Sequence, residues 1–407
     1  MPRKTNHRRP WVRALAALSI ATALPACTGD DTVTLGAVLQ LTGSLGSTGR
    51  TYRDAYQFTV DRINQQGGVK LGDFRYKLAL SIRDNQSDTN RGVRLHEELI
   101  TKEGVNFLLG PYSSNDVLAG SAAAERYQVL MVQAGGASSR IFTRGYRYVF
   151  GTLPVADDYF RSTIAMLGKL SPKPRTVALV IGDDPFDIAL EQGTSALLRD
   201  AGMEIVLRQQ YSERTPNFYN ILTLLQARAP DVILWSGHEP AAASFIRQSK
   251  SRNINANMLS AFTTAVSTAS FRTVLGTDAN YAFGMTPWMP SARLKDRWFG
   301  DAEQFAEAFT QKFGYAPDYH VAAAVAAVET LVYAMEKAQT IESAEVRAAI
   351  QQLDFESVYG RIRFGSDGQI VLPQTVIQIQ DGKVVEIFAD DFMNPPVYPV
   401  PPWDKRS

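Results

Sequence analysis

The chain has 407 residues, 45% hydrophobic and 20% charged, which is enough for two globular domains with real cores. Its 42 Lys and Arg nearly balance 41 Asp and Glu, yet Arg3, Lys4, Arg8, Arg9 and Arg13 all precede the first acid, Asp30. Beyond residue 26 the balance is mildly acidic and no basic face is concentrated, which argues against nucleic acid as a partner.

The basic leader runs into an apolar stretch, Ala14 to Leu24, of signal-peptide length and short of the ~20 residues a membrane span needs. It ends in Leu24-Pro25-Ala26-Cys27, which resembles the bacterial lipobox, where the cysteine is lipidated and becomes the first mature residue. Cys27 is the only cysteine, so a disulfide within the chain is excluded and thiolate chemistry has no support. The expectation is a lipoprotein signal peptide over 1–26, lipidated Cys27 and a tether over 27–31. The body would then sit in the periplasm or at the cell surface, touching membrane only through its lipid. A plain secretory signal is the alternative.

From residue 33 apolar β-branched runs alternate with helical-period segments. Val33–Leu39 reads as a strand, followed by a turn with Gly43, Gly46 and Gly49 and a helix carrying Ala55, Phe58, Thr59 and Ile63, closed by Gly67-Gly68. Tyr76–Ile82, Val105–Leu109 and Val129–Gln133 read as strands, separated by helices over Arg91–Lys102 and Asp116–Arg126. The rhythm restarts after Phe150. Strands at Thr176–Ile181, Glu204–Gln209 and Val232–Ser236 alternate with helices at Ile188–Ala201, Ile221–Arg228 and Ala241–Ser251. Two such runs predict two α/β lobes with parallel sheets covered on both faces. The tail Pro395 to Pro402 favours extended polyproline structure, as a surface strap or a loose end.

Motifs for chemistry are missing from the sequence. There is no phosphate loop, dinucleotide fingerprint or nucleophile elbow, and His7, His96, His238 and His320 are far apart in sequence. No enzyme, cofactor or metal is implied. The polar signal lies in strand-to-helix turns. Gly110-Pro111-Tyr112-Ser113-Ser114 and Ala134-Gly135-Gly136-Ala137-Ser138 place small polar residues where helix N-termini expose N–H groups suited to a carboxylate. Ordinary capping is the competing explanation for each loop taken singly.

The ordered set Leu39-Gln40-Leu41-Thr42-Gly43, Ile63-Asn64-Gln65-Gln66-Gly67-Gly68-Val69, Asp84, Gly110 to Ser114 and Gly360 to Gly368 resembles the periplasmic solute-binding proteins of branched-chain amino acid ABC importers. That resemblance covers about Val33 to Phe388. It implies the type I periplasmic-binding-protein fold, two doubly wound parallel-sheet lobes joined by three crossover strands. One lobe would take 32–153 plus 287–359 and the other 154–286 plus 360–393, leaving 394–407 as a Pro-rich tail. The ligand would be a small carboxylate in the interlobe cleft, the partner an ABC permease in the inner membrane. Carried over by position, Ser114 with Tyr112 beside it, Gly135, Gly136 and Ala137 grip the carboxylate, Ser138 replaces the hydroxyl of the threonine the family often has where Ala137 stands, and Phe186 covers the ligand. His238 and Glu239 follow another strand, and Phe262 and Thr263 stand where the family places an acid for an ammonium group. That missing acid separates two readings. A hydrophobic or branched-chain amino acid needs Glu239, Asp183 or Asp187 as counter-charge, whereas an aromatic or aliphatic carboxylate needs none. The amino-acid reading stands ahead on the resemblance. If these positions fail, contacts are expected around Trp288, Tyr319 and His320, with Trp288 and Trp298 equally suited to hinge packing. A sensor passing closure to a signalling partner is the competing class.

Overall fold

The structure, a computed structural model, describes residues 1–2, 32–213, 217–257 and 259–406. Cys27, the signal peptide and the tether lie outside the described residues.

The first sheet has six strands in the order β2-β3-β1-β4-β5-β6. These are β1 (Thr32–Leu39), β2 (Val69–Leu71), β3 (Phe74–Asp84), β4 (Phe107–Leu109), β5 (Met131–Gln133) and β6 (Val149–Gly151). All pairs are parallel except the edge ribbon β2–β3. Helices α1 (Gly46–Gln65), α2 (Thr89–Thr101) and α3 (Ser114–Tyr127) make the intervening connections. Because successive side chains point to opposite faces, Leu35, Ala37, Leu39 and Phe107 join one buried cluster while Val38, Leu108 and Met131 join another. At the end of α1, Gly68 (φ +76°) returns its N–H to Ile63 O at 2.9 Å, and a side chain there would overlap the Tyr76 carbonyl.

The second sheet repeats the plan in the order β17-β16-β11-β10-β9-β7-β8. Its parallel strands are β7 (Thr176–Ile181), β8 (Glu204–Gln210), β9 (Val232–Trp235), β10 (Leu259–Phe262) and β11 (Phe283–Thr286). They are joined through α5 (Pro185–Asp200), α6 (Tyr219–Arg228), α7 (Glu239–Ser251) and α8 (Ala269–Leu275), with α4 (Arg161–Lys169) preceding β7. Two short ribbons, β12 (Lys295–Asp296) with β13 (Gly300–Asp301) and β14 (Phe355–Glu356) with β15 (Arg361–Ile362), lie in the later chain. The antiparallel strands β16 (Thr375–Gln380) and β17 (Lys383–Phe388) complete the second sheet.

The elements read from periodicity up to Ser251 recur within a few residues. Those after it carried no such reading. They include α9 (Ala302–Phe313), α10 (Tyr319–Ala338) and α11 (Ser343–Ile350). α10 is apolar around nearly its whole circumference and is buried along its length, packed on α1, α11, β2 and β5.

The chain crosses between the sheets after β6, after β11 and again before β16. These crossovers bond to each other. Gly151 N–H donates to Gly368 O at 2.9 Å, and Trp288 Nε1 donates to Val358 O at 2.7 Å. Trp288 is thereby hinge packing, and Trp298 stacks its edge on Tyr333. The proline-rich tail lies along the second sheet: Val397 N–H donates to Gln378 Oε1 at 2.8 Å and Trp403 Nε1 to Ile254 O at 3.0 Å.

Candidate functional site

In open parallel sheets ligands collect beyond the carboxyl ends of the strands. Here both sheets turn those ends toward one narrow cleft. The first sheet contributes Tyr112, Ser113 and Ser114 after β4, Gly135 and Ala137 after β5, and Leu153 after β6. The second contributes Phe186 after β7, Gly237 and His238 after β9, and Thr264 after β10. Tyr159 from a crossover and Tyr319 from the start of α10 close the lining. The lobes touch across it: Tyr112 OH lies 2.8 Å from His238 Nδ1, and Thr264 Oγ1 lies 2.8 Å from Tyr319 OH.

The first-lobe side is an arrangement of donors. Ser114 Oγ accepts the N–H groups of Ala137 and Ser138, each at 3.1 Å. With both lone pairs so used, its own proton is left to donate. Gln133 Oε1 accepts the Gly135 and Gly136 N–H groups at 2.9 and 2.7 Å, which fixes the second loop. Tyr112 sits among rings, its centroid 5.9 Å from Tyr52 and 5.3 Å from His320. Tyr56 OH donates to Gly110 O, and Tyr52 OH donates to Ala134 O, so α1 holds both loops by hydroxyls on one face.

The second-lobe side concentrates ionisable groups. Asp184 caps α5, its Oδ1 accepting from Phe186 N and Asp187 N, while its Oδ2 lies 2.6 Å from His238 Nε2. Glu213 accepts from Tyr211 OH at 2.6 Å and from the His238 N–H at 3.1 Å. Asp187 is fully buried and accepts from Ser236 Oγ at 2.5 Å. Gly237 (φ +148°) allows this closeness, since a side chain there would overlap the Tyr211 hydroxyl and Glu213.

These neighbours settle the charges. Burial opposes charge on His238, while the Asp184 carboxylate 2.6 Å from Nε2 favours it, and the imidazole is raised well above its ordinary value. Burial likewise works against the Asp184 carboxylate, and His238 and the capping N–H of Asp187 prevail, holding it below the usual range. Asp187 is pushed well up by burial and then by the Asp184 and Glu213 charges; Glu213 is pushed up chiefly by burial. The surroundings thus favour charge on His238 and Asp184 and oppose it on Asp187 and Glu213.

Of the residues expected from sequence, Tyr112, Ser114, Gly135, Ala137, Phe186 and His238 line this cleft. Five do not. Gly136 faces Ile141 and Val117, and Ser138 is buried behind Ser114. Glu239 points away, accepting from the Thr268 and Ser270 hydroxyls. Phe262 lies on the far face of β10, packed on Trp235, Phe245 and Phe271, because Leu259 and Ala261 take the other face. Thr263 is buried and directs its hydroxyl to Gly237 O, while the next residue, Thr264, lines the cleft. Asp183 accepts from the Glu213 N–H. Sequence reading missed Leu153, Tyr159, Gly237 and Thr264, and it passed over Asp184 although Asp-Pro at a helix start is a capping signal.

Known proteins give the architecture a family. The Periplasmic binding protein family model matches residues 32–383. Leu/Ile/Val-binding protein homolog 7 of Brucella suis is 24% identical over 394 residues, covering 92% of this chain and 96% of that protein. Leucine-binding protein LivK of Thermotoga maritima superposes with TM-score 0.78 at 18% identity, over 88% of this chain and 99% of that one. A solute-binding protein of Rhodopseudomonas palustris BisB5 in complex with 3,4-dihydroxybenzoic acid superposes with TM-score 0.77 at 20% identity, over 89% of this chain and 98% of that one. The two sheets, their mutually bonded crossovers and the cleft between them are the type I architecture, and the chain belongs to the periplasmic binding protein family.

Proposed function

We propose that this chain is the solute-binding lipoprotein of an ABC importer and takes a small carboxylate with an aromatic or otherwise apolar, uncharged body. The observation that carries the ligand class is that no Asp or Glu stands among the residues lining the cleft, and the acids behind His238 are engaged elsewhere. Asp184 is paired with His238, Asp187 and Glu213 are held toward neutrality, and Glu239 turns to Thr268 and Ser270. An ammonium group closed into this cleft would meet no carboxylate in the lining, and an unpaired buried charge costs several kcal/mol as an order of magnitude. A carboxylate finds hydroxyl donors at Ser114 and Tyr112, and an aryl body finds Tyr159, Phe186 and Tyr319. Closure of the lobes on such a ligand supplies the state a permease recognises, since contacts made only when closed shift the equilibrium toward closure.

A branched-chain amino acid is the second reading. It is favoured by the name of the Brucella relative and by the leucine-binding Thermotoga protein. A thermal-shift screen separates the two. Benzoate and hydroxybenzoates are expected to raise the melting temperature, by ~2.7 kcal/mol of stabilisation at a hundredfold excess over Kd. Stabilisation by leucine or isoleucine but by no aryl carboxylate reverses the order of the readings. The anchor has its own test. Cys27→Ala is expected to release the protein from membranes, and a wild-type N-terminus without acyl mass would refute lipidation. No helix among the described residues is long and apolar enough to cross a membrane.

A further inference from the structure

Each imidazole nitrogen of His238 has one close partner, and the two partners belong to different lobes. Nε2 lies 2.6 Å from Asp184 Oδ2 in the second lobe, and Nδ1 lies 2.8 Å from Tyr112 OH in the first. The Tyr112 ring in turn lines the cleft. We infer that Asp184 is a positioning residue which, by keeping His238 doubly protonated, forces the Tyr112 hydroxyl to donate into the cleft and so selects a hydrogen-bond acceptor there. This rests on the carboxylate reading above and deepens it.

The protons can be followed atom by atom. In the imidazolium, Nε2–H donates to Asp184 and Nδ1–H donates to the Tyr112 oxygen. That oxygen has then spent a lone pair on His238, and its own proton is free for the ligand. In neutral His238, Nε2–H still satisfies Asp184, Nδ1 becomes an acceptor, and the Tyr112 proton turns back to it. The cleft then meets lone pairs, which repel a carboxylate. One proton thus reverses the polarity of a single point in the site, with no movement of a heavy atom.

The surroundings favour the charged ring. On α5, the Asp184 carboxylate meets Nε2 at 2.6 Å and favours the charged ring, and Asp187 is held toward neutrality, while Glu213 after β8 accepts the His238 backbone N–H. Tyr211 donates to Glu213 and does not reach the ring. From α7, Glu239 is bonded to Thr268 and Ser270, and from α10, His320 stands edge-on to Tyr112 with its Nδ1 3.3 Å from Asp318. The Phe186 ring lies 6.5 Å from that of His238 between centroids, 26° from parallel.

The test measures benzoate affinity by calorimetry from pH 5.5 to 9.5 in the full chain, in Asp184→Asn and in Tyr112→Phe. Asparagine is as good a helix N-cap as aspartate, so the first variant keeps the start of α5. Wild-type affinity is expected to hold through neutral pH and fall at least tenfold in the alkaline range. In Asp184→Asn that fall moves to lower pH by at least one unit, with affinity recovered at pH 5.5. Tyr112→Phe is expected to bind at least tenfold more weakly with a flat profile. An Asp184→Asn profile parallel to the wild type, or full affinity in Tyr112→Phe, overturns the inference. ¹⁵N NMR of the ligand-free protein reads His238 directly: a doubly protonated ring at pH 7 that Asp184→Asn abolishes supports it, and a neutral ring in the wild type overturns it. If the wild type binds no benzoate at any pH, the ligand class falls and the imidazole spectrum alone decides the relay.

Discussion

Thr264 Oγ1 and Tyr319 OH lie 2.8 Å apart and 55 residues apart in the chain, one at the end of a second-sheet strand and the other on the helix packed against the first sheet. The bond exists only while the lobes are together. Tyr319→Phe keeps the ring and removes the bond, so it is expected to weaken ligand binding by ~0.5–1.5 kcal/mol through faster dissociation. Stopped-flow release of a bound ligand measures this. An unchanged release rate would mean that the pair contributes nothing to closure.

Ser114→Ala should act twice. The hydroxyl accepts two buried N–H groups, so its loss leaves Ala137 and Ser138 unpaired and is expected to lower stability by ~1–3 kcal/mol. The ligand carboxylate loses a donor as well. Denaturant unfolding and calorimetry on the same variant separate the two losses, and loss of stability with full affinity would confine Ser114 to a structural role.

Glu239 and Phe262 form a contrasting pair. Glu239→Gln is expected to leave affinity within about twofold, because a carboxylate bonded to Thr268 and Ser270 has no part in the cleft. Phe262→Ala empties a packed position beside Trp235 and should cost ~3–5 kcal/mol of stability while leaving the lining intact. A tenfold loss of affinity in Glu239→Gln without loss of fold would restore the amino-acid reading.

His96 ties stability to pH. It is buried between α2 and α3 with Nδ1 2.8 Å from Gly92 O, and burial lowers its pKa from 6.5 to about 4. The unfolded chain therefore binds the proton first, and stability is lost as pH falls from about 6.5 toward 4, by ~3 kcal/mol. Chemical unfolding at several pH values should show that slope, and His96→Gln should be less stable at pH 7 with a shallower slope. An identical slope in the variant would assign the effect to other groups.

The first half of the fold was legible because most of its inner strands (β1, β4, β5, β7 and β9) are buried on both faces and its helices bury one stripe, so hydrophobic runs and 3.6-residue spacing alternate cleanly. The signal fails at α10, where Val321 to Leu331 is buried on every side and carries no stripe to read. In the site, the glycine-bounded loops after β4 and β5 announce themselves through turn chemistry, and Tyr112, Ser114, Gly135 and Ala137 follow. At the end of β10 the expectation is off by one position: Thr263 and Thr264 differ by one residue, but the chain turns there from strand into a 3₁₀ turn, and only the second faces the cleft. Tyr159 and Tyr319 come from a crossover and a distant helix. Nothing local in their sequence ties them to the loops after β4 and β7.

The bonds among the crossovers determine how the cleft can be worked. Gly151 is tied to Gly368 and Ile370 through backbone groups, and Trp288 is tied to Val358. Such a seam resists shear, because sliding one strand past the next would break its bonds together, whereas bending spreads a small dihedral change over several residues. The two halves therefore behave as the covers of a bound book. A rotation too slight to rupture the binding still carries Tyr319 away from Thr264 inside the cleft, so the pages part first where the side chains of the two halves meet.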